Sequence, residues 1–322
     1  MVGFIVSRLT QSALVLLVMS FLIYVLLGLM PGDPIDLMIG ADPDVTAEDV
    51  ARLKALQGVD RPIMERYANW LERVLVGDLG YSRLFSRPVL EVLVPRLAHS
   101  LVLMVVALVL SLAIAIPIGI YAARWPGSWT DQLINLVCFA GVSIPPFWLA
   151  LLLILLFAVG LGVFPASGMA TVSDGGLLDR AHYMVLPVLT LAFAGIAGYT
   201  RHTRAAMIEV MREDYVRTAR SKGVAEYKVV WKHALRNALL PVVTISALDF
   251  GSLFSGALVT ETMFAWLGMG KTIYDAVMGN DYNLALAGLL LATVVTLAAN
   301  ILADISYALL DPRITYRVER RG

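Results

Sequence analysis

Residues that commonly build metal sites or disulfides are scarce in this chain of 322 residues, which has one cysteine and four histidines. Cys138 stands alone within an apolar stretch, so the chain can form no internal disulfide. The four histidines share no ligand spacing, and we therefore expect no metal site made by this chain alone. The 25 basic and 25 acidic residues cancel, so net charge says nothing about partners, and we expect no nucleic-acid partner.

Apolar residues, by contrast, make up 59% of the sequence, and the mean hydropathy of +0.77 is too high for a soluble domain. At least five apolar stretches approach or pass the length that crosses a bilayer core as a helix. The sequence therefore predicts an all-α polytopic membrane protein with six transmembrane helices. The candidate spans are Leu9 to Met30, Leu101 to Ala123, Leu133 to Phe164, Tyr183 to Tyr199, Ala238 to Val259 and Leu284 to Leu310.

Basic residues are concentrated in one set of the short connections between these spans. Nine Lys and Arg lie in residues 201–237, whereas the short connections on the opposite side hold only Arg180 and Lys271. Basic side chains beside a span resist translocation across the membrane. We therefore expect both termini, and residues 201–237, on the cytoplasmic side.

The first connection, residues 31–96, has mixed charge and is long enough to escape this charge rule. It contains two helical patterns, at 44–58, where Thr46 can cap the helix, and at 66–75. We predict a small folded external region between helices 1 and 2.

The third candidate span is too long for one straight helix across a bilayer. Pro145 and Pro146 remove consecutive backbone donors within it, which predicts a break near "SIPPF". Two interpretations remain open at this stage: a broken helix that lines a water-filled path, or a packing kink.

The basic connection 201–237 is patterned as two amphipathic helices separated by a glycine. Apolar residues recur at helical spacing on one face of the second helix, and Gly223 is suited to the left-handed conformation that ends the first. That face consists of Tyr227, Val230, Trp231, Ala234, Leu235 and Ala238. A long apolar face outside the membrane must be covered by something. The alternative is a topological anchor that holds basic charge inside and contacts anionic lipid.

The same connection resembles a known family. Asp214 to Thr244 reads "DYVRTARSKGVAEYKVVWKHALRNALLPVVT" and resembles the signature cytoplasmic loop of ABC-importer permeases of the dipeptide, oligopeptide and nickel family. Further segments agree in order along nearly the whole chain. They are "PGDP" at 31–34, "GDLG" at 77–80, "TETMFAWLGMG" at 260–270 and "DPRI" at 311–314.

One part of the wider permease signature is missing. The wider class carries Glu-Ala-Ala, then three residues and a glycine; the matching residues here are Arg217, Thr218, Ala219 and Gly223. The glutamate is absent, so no role of that glutamate is transferred to this chain.

The resemblance implies the type I ABC-importer permease fold, as a single transmembrane domain over residues 1–322. It also implies a location in a bacterial inner membrane and four partners. These are a homologous permease, two cytoplasmic ATPase subunits and an extracytoplasmic substrate-binding protein. In such permeases the turn of the loop is a coupling helix that sits in a groove of an ATPase. The residues assigned to that contact are Arg217, Arg220, Ser221, Lys222, Gly223, Val224, Ala225 and Glu226.

The resemblance leaves the substrate open among dipeptides, longer peptides, glutathione, nickel chelates and other solutes. It also implies that ATP and magnesium bind the partner ATPases and that this chain binds no cofactor. "WLGMGKT", Trp266 to Thr272, is similar to the end of a phosphate-binding loop, but Ala265 stands where the first glycine would be and no strand precedes it.

Two aspartates lie within predicted spans, where ionisable residues are costly. Asp249, near the middle of the fifth span, either faces the pathway and favours a cationic group such as a peptide ammonium, or bonds to a neighbouring helix. Asp304, in the sixth span, is expected to be structural. An intramembrane aspartyl protease built on this pair is a remote alternative, because neither aspartate has the sequence context of such enzymes. A stand-alone secondary transporter is the other alternative, although six spans without visible inverted repeats favour half of a larger pore.

Overall fold

A computed structural model describes residues 2–29, 61–172 and 175–310. In these residues the chain is predominantly helical, with one short hairpin. The elements in chain order are α1 (Val2–Gly28), α2 (Ile63–Leu75), β1 (Tyr81–Ser82), β2 (Arg87–Pro88), α3 (Val89–Arg124), α4 (Trp129–Ser143), α5 (Pro146–Leu153), α6 (Leu177–Val210), α7 (Asp214–Ser221), α8 (Glu226–Lys228), α9 (Leu235–Met263), α10 (Met269–Met278) and α11 (Tyr282–Leu310). Two π-helical segments, Ile154–Gly160 and Val229–Ala234, continue α5 and α8.

Four helices, α1, α3, α6 and α11, are long and apolar enough to cross a membrane by length and composition. Two bent pairs also satisfy the same test: α4 with α5 and its π-helical extension, and Glu226–Gly251 with Gly256–Met263. Counting each bent pair as one span gives up to six spans among the described residues, which agrees with the six predicted.

The predicted break in the third span is confirmed. The chain bends by 102° between α4 and α5. Pro145 is extended, with φ −62° and ψ 136°, and Pro146 is the first helical residue of α5. Because a residue before proline avoids the helical region and proline is tolerated at the first turn, this pair ends one helix and starts another.

Helix bounds differ from the predictions where polar residues continue a helix beyond its apolar run. The second span was predicted from Leu101, but α3 begins at Val89; the fourth was predicted over 183–199, but α6 covers Leu177–Val210. Hydropathy marks where a helix is apolar, whereas backbone hydrogen bonding decides where it ends. The predicted helix at 66–75 is present as α2, and the one at 44–58 lies outside the described residues.

The chain divides into two compact units, Met1–Ala98 with Lys271–Val295 and His99–Gly270 with Thr296–Gly322. This division concerns packing alone, and the single permease domain over residues 1–322 stays a prediction.

In the first unit, α2 packs on α1 through aromatic side chains. The Ser20 hydroxyl lies 2.7 Å from the Tyr67 hydroxyl, and the rings of Tyr67 and Trp70 lie 5.8 Å apart. The hairpin β1–β2 is held by Asp281, whose carboxylate accepts a 2.6 Å hydrogen bond from Ser82. Asp281 is 2% exposed, so this buried side chain joins the hairpin to the start of α11 by hydrogen bonding.

In the second unit, α6 is the central helix and packs against α4, α5 and α9. Its approach to α3 is close at Gly119, where a Cβ atom would lie 2.6 Å from the Thr203 Cβ. Small residues at such crossings allow two helix backbones to meet. Three apolar clusters surround α6, and one of them extends into α7 and the segment that follows it.

Candidate functional site

The predicted helix–glycine–helix connection is present, and we call residues 214–228 the elbow. Helix α7 ends at Ser221, and Gly223 follows with φ +75°, in the left-handed region that glycine adopts without steric cost. The amide of Val224 then donates to the carbonyl of Ala219 at 3.2 Å. Gly223 therefore terminates α7 in the way that glycine commonly ends helices, and Ala225 is the N-cap residue of the next helix, α8.

An ion pair closes the elbow across its turn. The Arg220 guanidinium donates to both Glu226 carboxylate oxygens, from Nη2 at 2.8 Å and from Nε at 3.2 Å. The fork geometry fixes orientation as well as distance. Hydrogen bonding to this carboxylate raises the pKa of the Arg220 guanidinium above its ordinary value, so its charge is constant at physiological pH.

The rear of the elbow is buried against two long helices. Val216 and Ala219 of α7 pack in one apolar cluster with Ile120 of α3 and Met207 of α6. Val216 is 0% exposed and Met207 is 1% exposed. The elbow is therefore joined to α3 and α6 by close packing, and a displacement of one must be accommodated by the others.

The front of the elbow is open. Of the residues assigned to the ATPase contact, all are exposed except Val224, which is half-buried and packs on the apolar cluster. A Cβ atom at Gly223 would meet nothing within 4 Å. The assigned residues thus form one continuous surface; the exposed ones are Arg217, Arg220, Ser221, Lys222, Gly223, Ala225 and Glu226.

The apolar face predicted for the second helix is wrong in part. Tyr227 and Trp231 were placed on it, but they are 64% and 54% exposed, whereas Val229, absent from the prediction, is 0% exposed. The segment Val229–Ala234 is π-helical, and its wider turn changes the spacing at Val229 and Trp231. Val230 and Ala234 of the predicted face are buried as expected.

An ion pair with a buried carboxylate and a partly exposed guanidinium lies close in sequence to this apolar cluster and was missed from the sequence. The Arg204 guanidinium of α6 donates to both carboxylate oxygens of Asp131 in α4, at 2.5 and 2.6 Å. The Asp131 side chain is 2% exposed and also accepts from the Gly127 amide and the Asn135 side chain. The pattern Ser128-x-x-Asp131 is typical of a capping box and predicts where the helix starts. It does not predict that Asp131 pairs with Arg204.

A second buried carboxylate, Glu261, was also missed, because it falls just beyond the predicted end of the fifth span. It is 0% exposed and accepts a hydrogen bond from the Ser100 hydroxyl. Ser100 in turn accepts from the Met269 amide at 2.8 Å. Gly268 and Gly270 pack against the same carboxylate, so residues 261–270, which we call the Glu261 turn, are closed around it.

The candidate pathway residue Asp249 lies in α9, away from the elbow. It is half-buried and its side chain is hydrogen-bonded to that of Tyr199 in α6. This contact is of the kind expected if Asp249 joins two helices. Its role in the pathway stays a prediction.

The long apolar helices define a protein that spans a membrane, by their length and composition. A family model described as "binding-protein-dependent transport system inner membrane component" matches residues 115–316, and the model of its N-terminal part matches residues 1–104. The chain belongs to this family, the permease subunits of ABC importers, and has the type I importer permease fold. The protease and stand-alone transporter alternatives are therefore excluded.

Individual relatives match the sequence of this chain over their whole length. The oligopeptide transport system permease protein AppB of Bacillus subtilis is 40% identical, over 98% of this chain and 100% of that protein. The glutathione transport system permease protein GsiC and the dipeptide transport system permease protein DppB, both of Escherichia coli, are each 35% identical with the same coverage.

Proposed function

We propose that this chain forms half of the translocation pore of an importer for dipeptides, oligopeptides or a related small solute such as glutathione. The substrates in the names of the three relatives, oligopeptides, glutathione and dipeptides, support this class. In the proposed assembly the chain pairs with a homologous permease, two ATPase subunits and an extracytoplasmic substrate-binding protein. ATP and magnesium bind the ATPases.

We further propose that the elbow is the contact with an ATPase subunit. The observation that carries this proposal is the asymmetry of the elbow: its front is exposed while its rear is packed on α3 and α6. A rigid surface of this kind can be moved as one body by a partner and can displace the helices behind it.

The arrangement requires the elbow, and with it both chain termini, on the cytoplasmic side. The concentration of nine Lys and Arg in residues 201–237 supports that orientation. The opposite segments, chiefly 31–96 and 259–283, would then face the binding protein. Docking of the binding protein together with ATP binding favours the outward-open state, and hydrolysis allows return.

The test is Gly223→Pro in the complete transporter reconstituted with its binding protein. Proline fixes φ near −65°, whereas Gly223 has φ +75°, so the elbow cannot keep its turn. We expect the assembled complex to hydrolyse ATP while uptake per ATP falls by about tenfold or more. Gly223→Asn is the matched control, because asparagine tolerates the left-handed region.

Two outcomes decide. If Gly223→Pro lowers uptake per ATP and Gly223→Asn does not, the conformation of the elbow is needed for coupling. Normal uptake per ATP by an assembled Gly223→Pro transporter would contradict the proposal.

A further inference from the structure

The Asp131–Arg204 pair connects α4, which leads to the break at Pro145, with α6, which leads to the elbow. Asp131 lies in the first turn of α4, whose other end leads into the break at Pro145. Arg204 lies in the last part of α6, three residues before Met207, which packs behind the elbow. The pair therefore joins the support of the elbow to the first half of the broken third span.

Helix α4 depends on α6 for its position. It packs chiefly on α6, and Gly141 near its far end meets Ala197 of α6, where a Cβ atom at Gly141 would lie 3.1 Å from the Ala197 Cβ. Its other face carries exposed apolar side chains such as Leu136 and Phe139. The ion pair fixes the near end of α4 against α6 in distance and rotation, because two guanidinium nitrogens, Nε and Nη2, donate to the two carboxylate oxygens of Asp131.

The second half of the broken span is held differently. Helix α5 packs on α9 as well as on α6. If α6 moves relative to α9, α4 follows α6 while α5 is held by both helices. The displacement then concentrates at the break between Ser143 and Pro146.

We propose that Asp131 and Arg204 are positioning residues that make α4 follow α6 when the elbow is displaced, so that motion reaches the break in the third span. This inference rests on the proposed function, because it takes the elbow as the ATPase contact. The Asp131 side chain is 2% exposed and that of Arg204 is 25% exposed. Ion pairs with a buried member are often replaceable by apolar side chains without loss of stability, so stability alone does not account for this pair.

The test uses Asp131→Leu/Arg204→Leu in the complete reconstituted transporter, with Asp131→Asn and Arg204→Lys as variants that keep the side-chain volumes nearly unchanged. Arg180→Leu, which removes an exposed arginine from the opposite end of α6, is the control. The reporter is Cys138, the one cysteine of this chain, which is buried in α4. Its labelling by N-ethylmaleimide is measured by mass spectrometry of this chain, with and without vanadate-trapped nucleotide.

In the native protein and the Arg180→Leu control we expect the same labelling rate in both states, because α4 stays on α6. In the double variant we expect labelling to rise by about tenfold in the trapped state only, since labelling reports separation of α4 from α6. Uptake per ATP should fall by about tenfold. The two single variants should change in the same direction by less.

Faster labelling in both states would show a packing role alone and would overturn the inference. Unchanged labelling in both states would overturn it as well. If Gly223→Pro uncouples the transporter while the double variant stays coupled, this inference falls and the proposed function stands. If Gly223→Pro also leaves uptake per ATP normal, the proposed function fails and the inference fails with it.

Discussion

The elbow and the Glu261 turn are both glycine-containing connections, and they are built in opposite ways. At the elbow, Gly223 borders open space and its ion pair is about two-fifths exposed on each side. At the Glu261 turn, the glycines border a carboxylate that is 0% exposed. The elbow is thus exposed, as the proposed ATPase contact requires, whereas the Glu261 turn is closed around a buried carboxylate.

This difference determines what a substitution should disturb. Changes at the elbow should alter coupling and leave stability nearly intact, because exposed pairs contribute little to folding. Changes at the Glu261 turn should lower stability, because buried polar groups must keep their partners.

Glu261→Ala should have the largest effect. It removes a fully buried side chain and leaves the Ser100 hydroxyl without its acceptor, which we expect to lower stability by about 3 kcal/mol. Glu261→Gln keeps the shape and an acceptor oxygen, so its loss should be smaller. Thermal unfolding of the purified permease in detergent measures both. A Glu261→Ala protein as stable as the native one would contradict the account of this turn.

Gly270→Ala should also destabilise the protein. A Cβ atom at Gly270 would lie 2.6 Å from the Leu258 Cα, a backbone atom that cannot rotate away, and overpacking of this kind costs about 1–3 kcal/mol. Gly223→Asn at the elbow, where space is open, should leave the melting temperature nearly unchanged. Equal melting temperatures for the two variants would remove the contrast between the regions.

Arg220→Gln and Glu226→Gln should lower stability by less than about 1 kcal/mol, because both side chains are about two-fifths exposed. Uptake per ATP should nevertheless fall severalfold, since the turn loses the pair that fixes it. The double variant Arg220→Gln/Glu226→Gln should be no worse than the worse single variant. Additive losses would indicate that each residue acts alone and not as a pair.

The elbow was predictable from the sequence because its determinants are local. A helix pattern followed by Gly223 indicates where the chain turns, and the break at Pro145 was predicted for the same reason. The pairs Asp131–Arg204 and Ser100–Glu261 join residues 73 and 161 positions apart, and no periodicity reports such contacts. The π-helical spacing after Lys228 could not be predicted either, because the apolar face was placed with regular α-helical spacing.

Asp249→Asn should have the smallest effect. The amide keeps hydrogen-bonding capacity toward Tyr199 but removes the negative charge, so folding should be nearly unaffected. If Asp249 faces the pathway, uptake of peptides with a free ammonium should fall relative to N-acetylated peptides, measured by competition in proteoliposomes. No change for any substrate would remove the pathway role and leave a contact between α6 and α9.

The most direct test of the central claim is crosslinking at the exposed front of the elbow. Ser221→Cys adds one reactive thiol, since Cys138 is buried, and a short maleimide–benzophenone reagent is then attached to it in the intact transporter. On illumination the benzophenone inserts into a C–H bond of whatever protein lies beside it, so the partner needs no cysteine. We predict a crosslink between Cys at position 221 and an ATPase subunit, and protection of that thiol from maleimide when the ATPases are present. A thiol that reacts equally fast with and without the ATPases, and never crosslinks to them, would contradict the claim that the elbow couples this permease to ATP hydrolysis.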